Sequence, residues 1–390
     1  MPTVTMIGGG QLARMTHQAA IALGQRLRVL AERPGDPAAQ VSPEVVLGSH
    51  TDLAALRKAA VGSHALTFDH EHVPTEHLEA LVAEGVNVQP PPQALVYAQD
   101  KLAMRTKLSG LGLPVPAFTP VTSVDDAVRF GDEHGWRIVL KAVRGGYDGR
   151  GVWMPESAEA AAEIVTDQLG RGVGLLAEAK IDLHRELSAM VARSPFGQAA
   201  TWPVVETVQR KGQCAVVVAP APGLPEDTAA AAETMALNLA RELGVVGVMA
   251  VELFETTDGE LLVNELAMRP HNSGHWGMDG ARTGQFEQHL RAVLDYPLGD
   301  TTPLAPVTVM ANILGAPQAP AMSMDERLHH LFARLPEAKV HLYGKGERPD
   351  RKIGHVNILG DDVAEVREKA ERAAHWMSHA IWTDGWDPHE

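Results

Sequence analysis

Glu252 and Glu265 stand near the two ends of the run VELFETTDGELLVNEL at 251–266. Asp258-Gly259 in its middle is a strong hairpin-turn signal, because both residues tolerate the positive φ of a two-residue loop. With that pair as the loop, Thr257 pairs with Glu260, Phe254 with Val263, Leu253 with Asn264, and Glu252 with Glu265. Like charges directly opposite one another destabilise a sheet. A cation between them removes that cost, and a ligand set of carboxylate oxygens selects Mg2+ or Mn2+. The competing reading is a strand pair with two solvent-facing acids, because a one-residue slip abolishes the pairing.

Four further segments carry candidate chemistry. Arg144-Gly-Gly-Tyr-Asp-Gly-Arg-Gly151 places four glycines in eight residues. Glycines let backbone N–H groups approach phosphate oxygens, and Lys141 on the preceding strand can add a positive charge. No Gly-Lys-Ser/Thr follows, so this is not a Walker loop. Glu178-Ala-Lys-Ile181, with Glu186 eight residues after Glu178, is an extended segment that can offer backbone groups to a base and a carboxylate to a ribose; a surface ion-pair cluster reads equally well. Met268-Arg-Pro-His-Asn-Ser-Gly-His-Trp276 crowds Arg269, His271, Asn272, Ser273 and His275 together, a donor set suited to a small anion. His341 to His355 holds Lys345, Arg348, Arg351 and Lys352, a basic loop that fits a phosphomonoester or a solvated turn.

Other signals are weaker. Gly8-x-Gly10-x-x-Ala13 fits the dinucleotide fingerprint, with Glu32 near the position of a ribose-binding acid. The same pattern equally describes a tight turn at an anion-favouring helix N-terminus. His70 and His72 lack zinc-site spacing. Glu71 stands at the end of a strand, where α/β sheets bind ligands, and is the better candidate for a ligand hydroxyl. Cys214, the single cysteine, reads as a packed residue.

The chain has 390 residues, enough for two or three cores, with 45% hydrophobic residues. A formal charge of −15 argues against nucleic acid as a partner. One cysteine excludes an internal disulfide framework and fits a reducing compartment. The N-terminus does not read as a signal peptide, and no apolar run reaches about 18 residues. A soluble cytoplasmic protein with no membrane partner is expected.

These residues need positioning elements. Over 1–98, strands at 4–7, 26–31, 45–48 and 65–68 alternate with helices at 11–23, 52–60 and 75–84, the last with Thr75 as N-cap and Leu78, Leu81 and Val82 on one face. This alternation predicts a Rossmann-like parallel sheet. A helix carrying Asp100-Lys101 follows, then a helix at 124–134, strands at 137–143 and 152–154 around the glycine loop, a helix at 158–169, and a strand at 174–178. Strands at 187–192, 204–207 and 214–219 and an Ala-rich helix at 228–243 lead into the hairpin. The last unit has a strand at 338–343, the basic loop and a helix at 363–379.

Taken together, the motifs resemble the ATP-grasp superfamily and, within it, the N5-carboxyaminoimidazole ribonucleotide synthases. The resemblance rests on Gly8-Gly-Gly-Gln-Leu-Ala-Arg-Met15, Gln99-Asp-Lys101, Lys141, the 144–151 loop, Asn264-Glu265, Arg269-Pro-His-Asn-Ser-Gly-His-Trp276 and Arg351-Lys-x-Gly-His355. It implies an α/β chain, α+β in its ATP-grasp part: a Rossmann-like domain at 1–98, a small subdomain with a phosphate lid at 99–185, a large subdomain with a Mg2+ site at 186–320, and a small β-rich C-terminal domain at 321–390. It also implies that ATP and bicarbonate form carboxyphosphate, that carboxyphosphate or the CO2 released from it carboxylates 5-aminoimidazole ribonucleotide, and that the protein is a homodimer.

Carried over by motif, Lys101 and Lys141 contact ATP phosphates. Gly146, Tyr147, Asp148, Gly149, Arg150, Gly151 and Val152 form the lid. Glu178, Ala179, Lys180, Ile181 and Glu186 hold adenine and ribose. Glu252 and Glu265 bind Mg2+ with Asn264 beside them. Arg269, His271 and Asn272 hold bicarbonate or carboxyphosphate. Tyr147, Asp148, Arg150, Lys345 and Arg351 engage the ribonucleotide, with Gln11 and Glu71 lining the cleft. Many members have His where this chain has Gln209; Gln still donates a hydrogen bond to the nucleotide. Ala13 replaces a frequent third glycine. The alternatives are another ATP-grasp ligase such as a formate-using transformylase or biotin carboxylase, an NAD-dependent oxidoreductase using the Gly8 turn, and a non-catalytic nucleotide-binding regulator.

Overall fold

The computed structural model describes residues 1–146 and 151–386. The chain begins with β1 (Thr3–Ile7), α1 (Gln11–Ala22), β2 (Arg26–Ala31), β3 (Glu44–Leu47), α2 (Leu53–Ala60), β4 (Ala65–Phe68) and α3 (Thr75–Ala83). Its four strands form a parallel sheet of order β3-β2-β1-β4. Both faces are buried, as parallel sheets require. Val4, Met6, Leu27 and Val29 pack to one side with Leu12 and Met15 of α1, while Ile7, Leu30, Leu66 and Phe68 join Leu56, Leu78 and Leu81. Two local expectations are corrected here. Thr75 is the first helical residue rather than the cap: Pro74 takes that place, and the Thr75 hydroxyl bonds to Gln99 Oε1 at 3.1 Å. Val82 is exposed, because its Cβ points away from the face defined by Leu78 and Leu81.

α4 (Pro92–Gln99) and α5 (Lys101–Gly110) follow. Asp100 separates what reads in sequence as one helix. Its side chain accepts from Ala103 N at 2.9 Å and caps α5, so Lys101 becomes the first residue of a helix N-terminus. β5 (Phe118–Val121), α6 (Val124–Glu133), β6 (Ile138–Ala142), β7 (Val152–Trp153), α7 (Ala158–Gly170) and β8 (Leu175–Ala179) build a small antiparallel sheet, β5-β8-β6-β7. β5 has no sequence signature, since it is four residues long and contains Pro120.

The large sheet begins with β9 (Leu183–Arg193), β10 (Ala199–Thr201), β11 (Val205–Arg210) and β12 (Gln213–Ala219). α8 (Glu226–Glu242), β13 (Gly247–Thr256), β14 (Leu261–Ala267), α9 (Gly277–Gly280), α10 (Gln285–Val293) and β15 (Val307–Leu314) continue it. α11 (Met324–Arg334), β16 (Lys339–Leu342), β17 (Lys352–Gly360) and α12 (Val363–His379) end the described chain. The order is β14-β13-β9-β11-β12-β15-β17-β16, with β10 beside β9. The C-terminal strands therefore extend the large sheet instead of forming one of their own. This continuity carries the basic loop between β16 and β17 back toward the N-terminal sheet. No helix among the described residues is long and apolar enough to cross a membrane.

Candidate active site

Glu252 of β13 does pair with Glu265 of β14, but not by the expected count. The loop has three residues, 257–259, with Thr256 N bonded to Glu260 O at 2.9 Å and Gly259 at φ +82. That turn pairs Phe254 with Leu262 and Leu253 with Val263. A bulge then leaves Asn264 as the extra residue and restores Glu252 opposite Glu265. The bulge also lets two consecutive side chains serve one cleft: Asn264 Oδ1 accepts from Lys141 Nζ at 3.3 Å, and Glu265 Oε1 pairs with Lys101 Nζ at 3.0 Å.

On the other side β13 pairs with β9, setting Glu252 beside Ser188 and on the face of Glu186. Glu186, Glu252 and Glu265 thus lie on three adjacent strands. Burial, then the Glu252 charge, pushes the Glu186 carboxyl up to about 7, against a bond from Gln209 and the charge of Lys141. Burial also opposes ionisation of Glu252, but a bond from His271 and the charges of His271, Lys101 and Arg269 outweigh it and hold this carboxyl below its ordinary range. Excess negative charge relieved by neighbouring cations suits an added hard cation. Among the described residues, no group of three or more His, Cys, Asp or Glu side chains is arranged to hold a metal ion.

Lys141 of β6 and Glu178 of β8 meet at 2.8 Å, and Arg105 of α5 meets Glu178 at 2.7 Å. Glu178 is almost fully buried. Burial opposes its ionisation, and the charges of Lys141 and Arg105 hold its carboxyl below the usual range. Its carboxylate is thus committed to two cations rather than facing a ribose. Ala179 N bonds to Ala117 O and Lys180 N to Arg137 O, both at 2.8 Å, which spends two of the donors expected for an adenine edge. Tyr147, Asp148, Gly149 and Arg150 lie outside the described residues. Gly146 and Gly151 flank them, and Val152 opens β7 opposite Lys141. Arg144 pairs with Asp100 at 2.9 Å, tying the start of the glycine segment to the α5 cap.

The donor-rich loop after β14 is held from below. His271 Nε2 contacts Glu252 Oε1 at 3.1 Å, and its Nδ1 meets Ser273 Oγ at 2.8 Å, which meets Ser188 Oγ at 2.8 Å. Gln285 accepts from His271 N at 2.7 Å and donates to His271 O at 2.8 Å. Arg269 Nε donates to Glu71 Oε2 at 2.6 Å, and Met268 N to Glu71 Oε1 at 3.2 Å. Glu71, expected to meet a ligand hydroxyl, is therefore the brace of Arg269. Asn272 opens the short 272–274 turn; Cys214 Sγ donates to Val216 O at 3.7 Å, and burial pushes its thiol up to about 12. Cys214 is half-buried and packs against the core cluster that contains Val217, Ala219 and Met310.

The N-terminal turn has an anion of its own. Asp69 Oδ2 accepts from Gly10 N and Oδ1 from Ala13 N, each at 2.8 Å. A Cβ on Gly10 would stand 2.2 Å from Asp69 Oδ2. The glycine thus admits a carboxylate of the same chain to the helix N-terminus, where a dinucleotide phosphate would sit. Glu32 is 57% exposed and pairs with His50 at 3.6 Å. These contacts overturn the dinucleotide reading. Gln11 instead accepts from Lys345 of the basic loop, and Gln40 Nε2 donates to Gly344 O at 2.8 Å. The loop is tied at its far end too: Gly315 N donates to Arg351 O at 2.9 Å, and Arg351 Nη1 to Gly346 O at 3.1 Å.

A stack of rings, with His275, Tyr343 and His355 buried and His341 partly exposed, joins the anion loop to the basic loop. His275 stacks on His355 at 4.9 Å, His355 on His341 at 4.7 Å, and the Tyr343 hydroxyl meets His355 Nδ1 at 2.8 Å. Burial holds His275 and His355 well below the ordinary histidine range, so both are neutral. Arg105, Asp69, Gln285 and His355 escaped sequence reasoning as site residues. Two of them carried a usable signal: Asp69 by its place near Glu71 at the end of a strand, and His355 as the last residue of the Arg351-Lys-x-Gly-His355 motif.

Comparisons with known proteins match three successive parts of the chain. A ribonucleotide synthetase preATP-grasp domain matches residues 1–99, an ATP-grasp domain matches 106–286, and a phosphoribosylaminoimidazole carboxylase C-terminal domain matches 308–369. The N5-carboxyaminoimidazole ribonucleotide synthase of Mycobacterium tuberculosis is 68% identical over 388 residues, covering 100% of this chain and 90% of that protein. A crystal structure of an N5-carboxyaminoimidazole ribonucleotide synthetase in complex with ADP is 34% identical, with a TM-score of 0.88 over 96% of this chain and 97% of that one. The Aspergillus clavatus enzyme, solved with ADP and 5-aminoimidazole ribonucleotide, is 28% identical with a TM-score of 0.86, covering 96% and 98%. The chain belongs to the N5-carboxyaminoimidazole ribonucleotide synthase family of the ATP-grasp superfamily.

Proposed function

We propose that the protein carboxylates the amine of 5-aminoimidazole ribonucleotide, using ATP and bicarbonate. The observation that carries this reading is the 3.1 Å contact between His271 and Glu252. It joins the nucleotide-side acids to the anion loop, so a phosphoryl group and a small acceptor anion can meet without a covalent protein intermediate. Bicarbonate oxygen attacks the γ-phosphorus, giving carboxyphosphate and ADP. The amine nitrogen then attacks the carboxyl carbon, inorganic phosphate leaves, and the amine loses a proton.

Lys101 and Lys141 neutralise the transferring phosphates. Glu252 and Glu265 would hold Mg2+ through carboxylate oxygens on one face of the hairpin, and the ion would supply positive charge to the transferring phosphates. Glu186 and Gln209 take the ribose side of the nucleotide, with Ile181 near the base. Arg269 and His271 orient bicarbonate and then carboxyphosphate, with Asn272 beside them. Lys345, Arg351 and Gln11 hold the ribonucleotide, and the 146–152 segment covers the phosphates against water. We assign the protein to the cytoplasm as a homodimer, with domain boundaries near 98, 185 and 320.

The test is ADP release from ATP, Mg2+ and bicarbonate with and without 5-aminoimidazole ribonucleotide. Ribonucleotide-stimulated turnover is expected. Its absence in folded protein would overturn the assignment.

A further inference from the structure

We propose that Arg105 is a positioning residue for the nucleotide phosphates, acting through Lys141 and through the Asn264 bulge. The proposal rests on the reading that Lys141 contacts those phosphates. Arg105 lies one turn after Lys101 on α5, and its side chain is 1% exposed. Its Nε donates to Glu178 Oε1 at 2.7 Å and its Nη1 to the carbonyl of Val263 at 3.1 Å. The other Glu178 oxygen pairs with Lys141 Nζ at 2.8 Å. Three structural elements therefore converge on one guanidinium: α5, β8 of the small sheet, and β14 of the large sheet.

The charges decide what this does. Glu178 paired with Lys141 alone would be neutral overall, and a neutral pair attracts a phosphate weakly. Adding Arg105 leaves the trio with a net positive charge, which Lys141 presents to the cleft. An ammonium has three donors. Glu178 and Asn264 direct two of them, which fixes the direction of the third.

The second contact acts on the metal hairpin. Val263 immediately precedes the bulged Asn264. Its carbonyl is held by Arg105, and its N–H donates to Pro114 O at 2.8 Å. The segment from α5 thus grips the strand where its register changes. The guanidinium meets its two acceptors with N–H groups fixed in one plane, a geometry that an ammonium on a flexible stem does not reproduce, so Lys is not equivalent here. Stability alone does not explain a buried charge trio, because packed apolar side chains of similar volume are often at least as stable.

Arg105→Met and Arg105→Lys test this in the full-length protein. Titration calorimetry with Mg·ADP should show binding weakened roughly tenfold in Arg105→Met. The ATP KM should rise by a similar factor, with the ribonucleotide KM changed less than about threefold. Arg105→Lys, which keeps the charge and loses the fork, should recover only part of the ADP affinity. Unchanged ADP affinity and ATP KM in folded Arg105→Met would overturn the proposal, as would equal rises in both KM values. If that variant does not fold, Arg105→Gln takes its place with the same expectations, since its amide can still donate to Val263. Lys141→Met separates the two levels. If it leaves ADP binding intact, the reading of Lys141 fails; if it weakens binding and Arg105→Met does not, only the role of Arg105 fails.

Discussion

Glu252 and Glu265 face one another because two irregularities cancel: a three-residue turn shifts the register by one, and the bulge at Asn264 shifts it back. A regular hairpin with the same turn would set Glu252 opposite Asn264 and turn Glu265 to the other face. Glu265→Ala should therefore remove the pairing without unfolding the sheet. We expect ribonucleotide-stimulated ADP release to fall by roughly a hundredfold or more, with a melting temperature close to that of the unsubstituted protein. Retained activity in a folded variant would count against the metal role.

Glu186 supplies a pH signature. Its carboxyl is raised to about 7 in the folded protein from an ordinary 4.5. Between those values the folded state binds more protons than the unfolded chain, so this group makes stability fall as pH rises through that window. The loss is on the order of 3 kcal/mol. Glu186→Gln should flatten the dependence, raising the melting temperature at pH 8 relative to pH 5 in nucleotide-free protein. Denaturation across pH 5 to 8 checks this; parallel curves for the two proteins would contradict it.

Lys345 reaches Gln11 across the junction of the C-terminal loop and the N-terminal turn. Lys345→Ala removes a phosphate-seeking charge from the ribonucleotide side. The ribonucleotide KM should rise about tenfold, and the ATP KM far less. Steady-state kinetics with each substrate varied decides the point, and the reverse pattern would misplace the basic loop.

Gly315 is where the basic loop touches the large sheet. A Cβ there would lie 2.0 Å from the carbonyl oxygen of Arg348. Gly315→Ala must push that backbone away, at a cost of about 1–3 kcal/mol by analogy with overpacking. Because Arg351 shares this anchor through its carbonyl to Gly315 N, the ribonucleotide KM should rise while Mg·ADP affinity stays unchanged. Calorimetry and kinetics on one preparation separate the two effects.

Local signals in the chain were strong where a single element answers them. The strand Ala65–Phe68, the start of α1 at Gln11 and the β2 span Arg26–Ala31 follow from apolar patterning and glycine punctuation. β5 and the helix break at Asp100 were illegible. A short strand with a proline, and a cap inside an apparently continuous helix, differ little from their alternatives until neighbours are in place. The expected count across the hairpin reached the right partner through a two-residue loop and a regular strand, both of which the structure replaces.

What the residues alone determine is the inventory: which segments carry carboxylates, which carry glycines, which carry cations, and the family they resemble. Which of those groups face a ligand and which brace another side chain was decided only in the folded protein. Glu71 reads as a ligand acid and braces Arg269; Glu178 reads as a ribose acid and lies buried between Lys141 and Arg105. The Gly8 turn reads as a phosphate cradle, and Asp69 fills it from 59 residues away. The physical reason is common to all three. A charge buried among apolar atoms must find a partner of opposite sign or a hydrogen-bond donor, and its partner is whichever group tertiary packing brings within about 3 Å, a distance that spacing along the chain does not encode.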